Sequence, residues 1–251
     1  MNEEWDDLGA RLFGPGALCD AVPALGDPNL LHDEERRSIT HWATQRQREY
    51  AAGRLCARRL LARLGAGDVP LPRRADGSPE FPEGMVGSIT HSHGLCVVAV
   101  ARSGSFAALG VDVERDRALE SDLWELFCGD GELNWLQRQE ACRRGRLAMV
   151  LFSAKESAFK CLSGLGYGGM EPRQIEVRLE GLDPASCTRW RGLDLHASTT
   201  LTGRMLIRGE WIITGASLAG GNSKRVSEGF WPRHDTGARR VGSMGGRRGL
   251  D

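Results

Sequence analysis

Lysine is nearly missing from this chain. Of its 33 basic residues, Lys155, Lys160 and Lys224 are the lysines and all others are arginine. Also missing is any Cys-x-x-Cys pair or close His/Cys cluster. The seven cysteines stand singly, which argues against a structural zinc site and reads as reduced thiols of a cytosolic protein. No apolar run approaches the roughly 18 residues of a membrane span. The acidic start Met1-Asn2-Glu3-Glu4-Trp5-Asp6-Asp7 lacks the basic and apolar regions of a secretory leader. The protein is therefore expected to be soluble and cytoplasmic, without a membrane span. An excess of either charge is absent too. With 33 basic against 33 acidic residues there is no broad basic field, so no nucleic-acid partner is expected and any anion site must be local.

What is present fits an α+β protein, since 251 residues suffice for one large domain or two small ones, each with a real core. Asp33 can cap a helix over about 34–64, with Gly65 as its stop and a basic middle at Arg46, Arg48, Arg54, Arg58 and Arg59. A Pro/Gly-rich loop over 70–84 leads to strand-like runs at 85–90 and 95–101, joined by His91-Ser92-His93-Gly94. The run 108–114 reads as a third strand of the same antiparallel sheet, packed on the long helix. The grammar then recurs, with a helical region over about 121–162 and strands at 175–179, 190–195, 205–207 and 210–218. Helix followed by strands, twice, predicts two α+β halves, divided as 1–115 and 116–219. From Gly220 the chain is rich in Gly, Ser and Arg, so 220–251 is expected to be a disordered tail.

The lysines point to chemistry. Phe152-Ser153-Ala154-Lys155-Glu156-Ser157-Ala158-Phe159-Lys160 sets two of them beside one glutamate, where compact ammonium groups are chosen over guanidinium forks. On a helix, Leu151, Ala154, Ala158, Cys161 and Leu162 form an arc for the core, while Ser153, Glu156 and Lys160 share another. An ordinary i,i+4 Glu–Lys pair stays open as the alternative. In Gly110-Val111-Asp112-Val113-Glu114, alternation puts both carboxylates on one face of a strand, with Cα atoms roughly 6.5 to 7 Å apart. By themselves they fit an acidic face meeting water equally well. With Glu156 added, the three are hard oxygen donors suited to Mg²⁺, or Mn²⁺ in its place, and such sites usually hold a substrate's phosphates as well.

Small hydrogen-bonding residues in Gly87-Ser88-Ile89-Thr90-His91-Ser92-His93-Gly94 offer Ser88, Thr90 and His91 to a phosphate at a strand end. A plain turn histidine is the competing reading, and His91 with His93 lacks the further nitrogen or sulfur ligands of a zinc site. Arg46 and Arg54 on the helix, and Arg73 and Arg74 in the Pro-rich loop, add local cations that are individually weak.

Taken in order, the segments Gly87 to Ser92, Gly110 to Glu114 and Phe152 to Lys160 closely resemble the signature segments of the 4′-phosphopantetheinyl transferases. Arg46-Gln47-Arg48-Glu49-Tyr50-Ala51-Ala52-Gly53-Arg54 and Gly77-Ser78-Pro79-Glu80-Phe81-Pro82-Glu83-Gly84 resemble the additional segments of the larger, internally duplicated surfactin- and enterobactin-synthetase group. The resemblance covers about 46–218. It implies two similar α+β halves about a pseudo-twofold axis, with coenzyme A and Mg²⁺ in the cleft between them. It implies that Asp112, Glu114 and Glu156 ligate Mg²⁺ on the coenzyme A pyrophosphate, and that Arg46, Arg54 and His91 engage the 3′-phosphate region. Arg73 or Arg74, at a loop position often filled by lysine in relatives, would meet the adenine side. Lys155 and Lys160, with Ser88 and Thr90, would meet the phosphates.

The implied reaction is attack by a serine hydroxyl of an apo acyl or peptidyl carrier protein on the pantetheine-side phosphate, releasing 3′,5′-ADP. Glu156 would take the serine proton directly or through water, unless a water on the metal does so, and Lys160 would offset charge on the departing group. A monomeric enzyme serving fatty-acid, polyketide or nonribosomal-peptide carriers, siderophore assembly included, is expected. Two alternatives are a Mg²⁺-dependent nucleotide or pyrophosphate hydrolase and a non-catalytic module binding coenzyme A or a carrier. The first finds no Walker-type motif. The second gains little from three carboxylates that repel one another without metal.

Overall fold

Two antiparallel sheets, each with a long helix against it, make up the fold. The computed structural model describes residues 5, 7–166, 171–180, 188–194 and 199–220. Cys187, Leu195 at the end of one expected strand, and the expected tail beyond Gly220 lie outside the described residues. The first sheet has the order β1-β3-β2, from β1 (Ala17–Pro23), β2 (Met85–Ser92) and β3 (Leu95–Arg102). Cys96 to Ala101 in the central strand are wholly buried, which is why β3 reads as a continuous apolar run. Against this sheet lies α3 (Thr44–Arg63), whose buried Tyr50, Gly53, Arg54, Ala57, Leu60 and Leu61 recur at helical spacing.

The expected helix over 34–64 is broken into α2 (Asp33–Ser38) and α3, following the short α1 (Leu8–Phe13). The break falls at Ser38-Ile39-Thr40. Ser38 Oγ donates to the Glu35 carbonyl at 2.7 Å and Thr40 Oγ1 to that of Arg37 at 3.3 Å, so hydroxyls compete for the carbonyls a continuing helix would use. Ile39 turns inward to Leu31, Tyr50 and Ala51.

The strand expected to complete the first sheet, β4 (Phe106–Arg115), belongs to the second. That sheet has the order β4-β8-β7-β6-β5, with β5 (Ile175–Glu180), β6 (Thr188–Asp194), β7 (Thr200–Arg208) and β8 (Trp211–Ala219). β4 pairs with β8, with Asp112 opposite Thr214, and meets the edge strand β2 through the Ser88, Thr90 and Ser92 side chains instead of a backbone ladder. The region 121–162 is likewise divided into a 3₁₀ turn (Ser121–Leu126), α4 (Asp130–Gln137) and α5 (Ala141–Ser163). Gly129 interrupts it, and Glu132 restarts the helix by accepting the Gly129 N–H at 2.8 Å. The arc of α5 read from the sequence as core-facing, Leu151, Ala154, Ala158, Cys161 and Leu162, is buried among Leu136, Ile175 and Trp190.

Candidate active site at the seam between the sheets

The two sheets meet where β2 runs beside β4. Ser88, Thr90 and Ser92 stand on alternate residues of β2 and so on one face, and each reaches β4. Ser88 Oγ accepts the Val111 N–H at 3.1 Å, Thr90 Oγ1 donates to Asp112 Oδ1 at 3.0 Å, and Ser92 Oγ donates to Glu114 Oε2 at 3.0 Å. Two glycines permit the surrounding packing. A Cβ on Gly110 would lie 1.8 Å from the Ser157 carbonyl oxygen of α5, and one on Gly53 of α3 would lie 2.6 Å from Ile89 Cγ2 on β2. Without them neither helix could approach its strand.

Asp112 is the hub of the seam. It is buried, and its Oδ1 accepts from Lys160 Nζ at 2.6 Å as well as from Thr90, while Oδ2 accepts from Ser153 Oγ at 2.8 Å. Ser153 is in turn 2.9 Å from Thr214 Oγ1. Lys160 Nζ also donates to Thr90 Oγ1 at 3.1 Å, and its side chain is 25 % exposed. Glu114 and Glu156 are half-buried beside this pair. Burial raises the pKa of both carboxyls, and the charge of Asp112 adds to the rise, while Lys160 pulls each back down. Negative charge here exceeds what one ammonium can offset.

Among the described residues no three acidic, imidazole or thiol groups stand close enough together to hold a metal ion by themselves. The donor set nevertheless fits Mg²⁺, a hard cation that keeps several waters and is commonly held by one or two carboxylates together with substrate phosphates. The under-compensated charge at Asp112, Glu114 and Glu156 is what such a cation would neutralise.

The two lysines do not act together. Lys155 is fully buried on the other side of α5, 2.7 Å from Glu132 Oε2, and donates to the carbonyls of Ile175 at 2.5 Å and Pro172 at 3.2 Å. Its three donors are spent, so the expected phosphate contact is replaced by a structural one. Burial pushes the Glu132 carboxyl up, and Lys155 with the Val177 and Gly129 amides pulls it back. Ser88 is buried and its Oγ accepts the Val111 N–H, while the residue still lines the cleft beside the seam.

Of the expected cations, Arg46 and His91 come together at 3.0 Å, Arg Nη1 to His Nε2. That contact makes Nε2 the acceptor and leaves the proton on Nδ1, which lies 3.8 Å from Glu49 Oε2. Burial, then the Arg46 charge, lowers the His91 pKa. Arg54 is buried instead, its Nε donating to the Leu71 carbonyl at 2.8 Å and its guanidinium stacked 4.2 Å from the Tyr50 ring centroid. It holds the loop that carries Arg73 and Arg74. Both of those are exposed. Arg74, Phe81, Ile89, Phe159 and Lys160 line a cleft of about 420 Å³ that runs from this loop to the seam. Sequence reasoning gave no role to Ser92, Ser153 or Glu132. Ser153 had a signal, since it shares the arc of Glu156 and Lys160.

Two family models match this chain in tandem. The 4′-phosphopantetheinyl transferase N-terminal domain matches residues 34–101, and the 4′-phosphopantetheinyl transferase superfamily model matches residues 108–213. The chain belongs to the 4′-phosphopantetheinyl transferase superfamily. The interval between the two matches falls where the chain crosses from β3 to β4, and so from one sheet to the other. Similar proteins in this superfamily include 4′-phosphopantetheinyl transferase Svp of Streptomyces mobaraensis, 39 % identical over 147 residues, which are 57 % of this chain and 60 % of Svp. 4′-Phosphopantetheinyl transferase Npt of Nocardia iowensis is 27 % identical over 80 % of this chain and 83 % of its own length. Enterobactin synthase component D of Salmonella typhi is 28 % identical over 75 % of each. That last similarity, together with the N-terminal-domain match, agrees with the larger group of the superfamily. The α+β class expected from sequence stands. Among the described residues no helix is long and apolar enough to cross a membrane.

Proposed function

We propose that this protein transfers the 4′-phosphopantetheine group of coenzyme A to a serine of an apo acyl or peptidyl carrier protein and releases 3′,5′-ADP. The observation that carries this reading is the Asp112–Lys160 pair at 2.6 Å, with Glu114 and Glu156 beside it, at the end of a cleft between the two halves. Asp112, Glu114 and Glu156 are the residues that would hold Mg²⁺, which when bound supplies Lewis-acid polarisation of phosphoryl oxygens.

The serine Oγ forms a bond to the pantetheine-side phosphorus while the bond from that phosphorus to the bridging oxygen breaks, and the electron pair leaves on 3′,5′-ADP. Glu156, whose proton affinity is raised by burial, accepts the serine proton directly or through water. Lys160 offsets charge on the departing phosphate. Thr90 and Ser153 fix the Asp112 carboxylate, and Ser92 fixes that of Glu114. Arg46 and His91 take the 3′-phosphate with Arg73 beside them, and Arg74 takes the adenine side. The protein works in the cytoplasm as a monomer, and its two halves divide between β3 and β4 rather than after residue 115, because β4 pairs in the second sheet.

The test is mass spectrometry of apo carrier domains of fatty-acid, polyketide and peptide type after incubation with the protein, coenzyme A and Mg²⁺. A gain of one phosphopantetheine arm on at least one carrier is expected. No gain on any of them would overturn the assignment.

A further inference from the structure

Beside the loop that carries Arg73, two arginines from different elements share one aromatic ring. The guanidinium carbon of Arg46, on α3, lies 5.7 Å from the Trp42 ring centroid, and that of Arg73, from the loop before β2, lies 5.5 Å from the same ring. Both arginines are exposed, and an exposed guanidinium left to itself samples many rotamers. Trp42 does not share that freedom. Its ring meets Tyr50 edge-to-face at 5.6 Å and 87°, and its backbone is tied on both sides, the amide N–H donating to the Ile39 carbonyl at 3.0 Å and the carbonyl accepting from Gln47 Nε2 at 2.9 Å. Tyr50 is itself buried. The ring is therefore a fixed face at the joint between α2 and α3, and it attracts cations through its quadrupole.

The two guanidinia held there have little anionic compensation. Glu49 Oε2 is 3.7 Å from Arg46 and also faces His91, while Arg73 Nε donates to the Gly77 carbonyl at 3.4 Å. Two cations held on one ring beside an imidazole make a place for a compact dianion.

We propose that Trp42 is a positioning residue that sets the preference for the 3′-phosphate of coenzyme A, by holding Arg46 and Arg73 around one phosphate beside His91. This rests on the coenzyme A reading above. Trp42 makes no bond to the phosphate; it acts through the two arginines.

The test compares wild type, Trp42→Phe and Trp42→Leu in two measurements. The first is equilibrium binding of 3′,5′-ADP and of 5′-ADP, and the second is transfer from coenzyme A and from dephospho-coenzyme A. Trp42→Leu keeps an apolar side chain against Tyr50 but removes the π face. It should weaken 3′,5′-ADP by about tenfold, the loss of two exposed cation–π contacts, while 5′-ADP binding and the turnover number change little. Trp42→Phe should recover part of the loss. Equal weakening of both nucleotides would mean base stacking or general disruption and would overturn the proposal. So would an unchanged ratio between them, or a wild type that does not favour 3′,5′-ADP. Binding that follows Trp42 as described in a protein that modifies no carrier would sustain the proposal and sink the transferase assignment. Transfer with a ratio indifferent to Trp42 would do the reverse.

Discussion

Helix α5 carries two lysine–carboxylate pairs of nearly the same length, Lys155–Glu132 at 2.7 Å and Lys160–Asp112 at 2.6 Å. The Lys155 pair is dry and complete. Both partners are essentially without exposure, the ammonium has two backbone carbonyls besides Glu132, and the carboxylate has the amides of Gly129 and Val177. The Lys160 pair borders the cleft, with two further half-buried carboxylates beside it. Identical chemistry thus serves construction on one face and leaves capacity for a ligand on the other. The length of an ion pair does not separate the two roles; the balance of charge and donors around it does.

The comparison breaks most severely at Lys155. Lys155→Met strands a buried Glu132 and should cost about 3–5 kcal/mol of stability, read as a lowered denaturation midpoint. Activity per folded molecule should hold. Adding Glu132→Gln should restore much of the loss, since the uncompensated charge is gone. If Lys155→Met removes transfer without lowering stability, Lys155 touches substrate and the two faces are not distinct.

Asp112→Asn should do the opposite. With the charge of the hub removed, carrier modification should fall by about 10²–10³-fold, the scale seen when one preorganised electrostatic partner is lost. The cost in stability should be smaller than for Lys155→Met, because Lys160 is partly hydrated and needs its partner less. Retained transfer would refute the place of Asp112 in the site.

The arc of α5 and the acidic face of β4 were legible in the sequence because both follow from side-chain period alone. The partner of Lys155 was not. Glu132 lies on another helix with no periodic relation to it, and nothing in the lysine itself tells a buried ammonium from a ligand-facing one. β1 escaped for a similar reason. Its Ala17, Cys19 and Ala21 face one core cluster while Leu18 and Val22 face α3, so both faces are apolar and no alternation marks the strand. The pairing of β4 with β8 joins strands far apart in sequence, which no local period announces. Arg54 looked like an exposed helix cation, yet Tyr50 four residues earlier draws it into the core by stacking.

Lys160→Arg sharpens the contrast in a smaller way. A guanidinium keeps the charge but is planar, and it cannot place a single nitrogen against both Asp112 Oδ1 and Thr90 Oγ1 as the ammonium does. Turnover should drop by roughly tenfold, with coenzyme A affinity less affected. Unchanged turnover would show that charge alone matters at this position.

The smallest effect concerns His91, which the proposed reading sets at the nucleotide end of the site. Its pKa is lowered by burial and by Arg46, so the free protein holds it neutral at pH 7. The folded-state value lies below the unfolded one. Its contribution to stability is therefore fully present above the ordinary histidine value of about 6.5 and is lost as pH falls below it, because the unfolded chain then binds the proton more readily. A phosphate placed beside Arg46 and His91 reverses the balance, since an anion favours the imidazolium. Binding of 3′,5′-ADP should then take up a fraction of a proton near pH 6.5 and tighten modestly as pH is lowered from 7.5 to about 6. Calorimetry in two buffers of different ionisation enthalpy would count that proton, and His91→Asn should abolish the uptake while leaving binding at pH 8 nearly as in wild type. If the uptake survives His91→Asn, the proton enters elsewhere, and the Arg46–His91 pair is as fully compensated as the Lys155 pair.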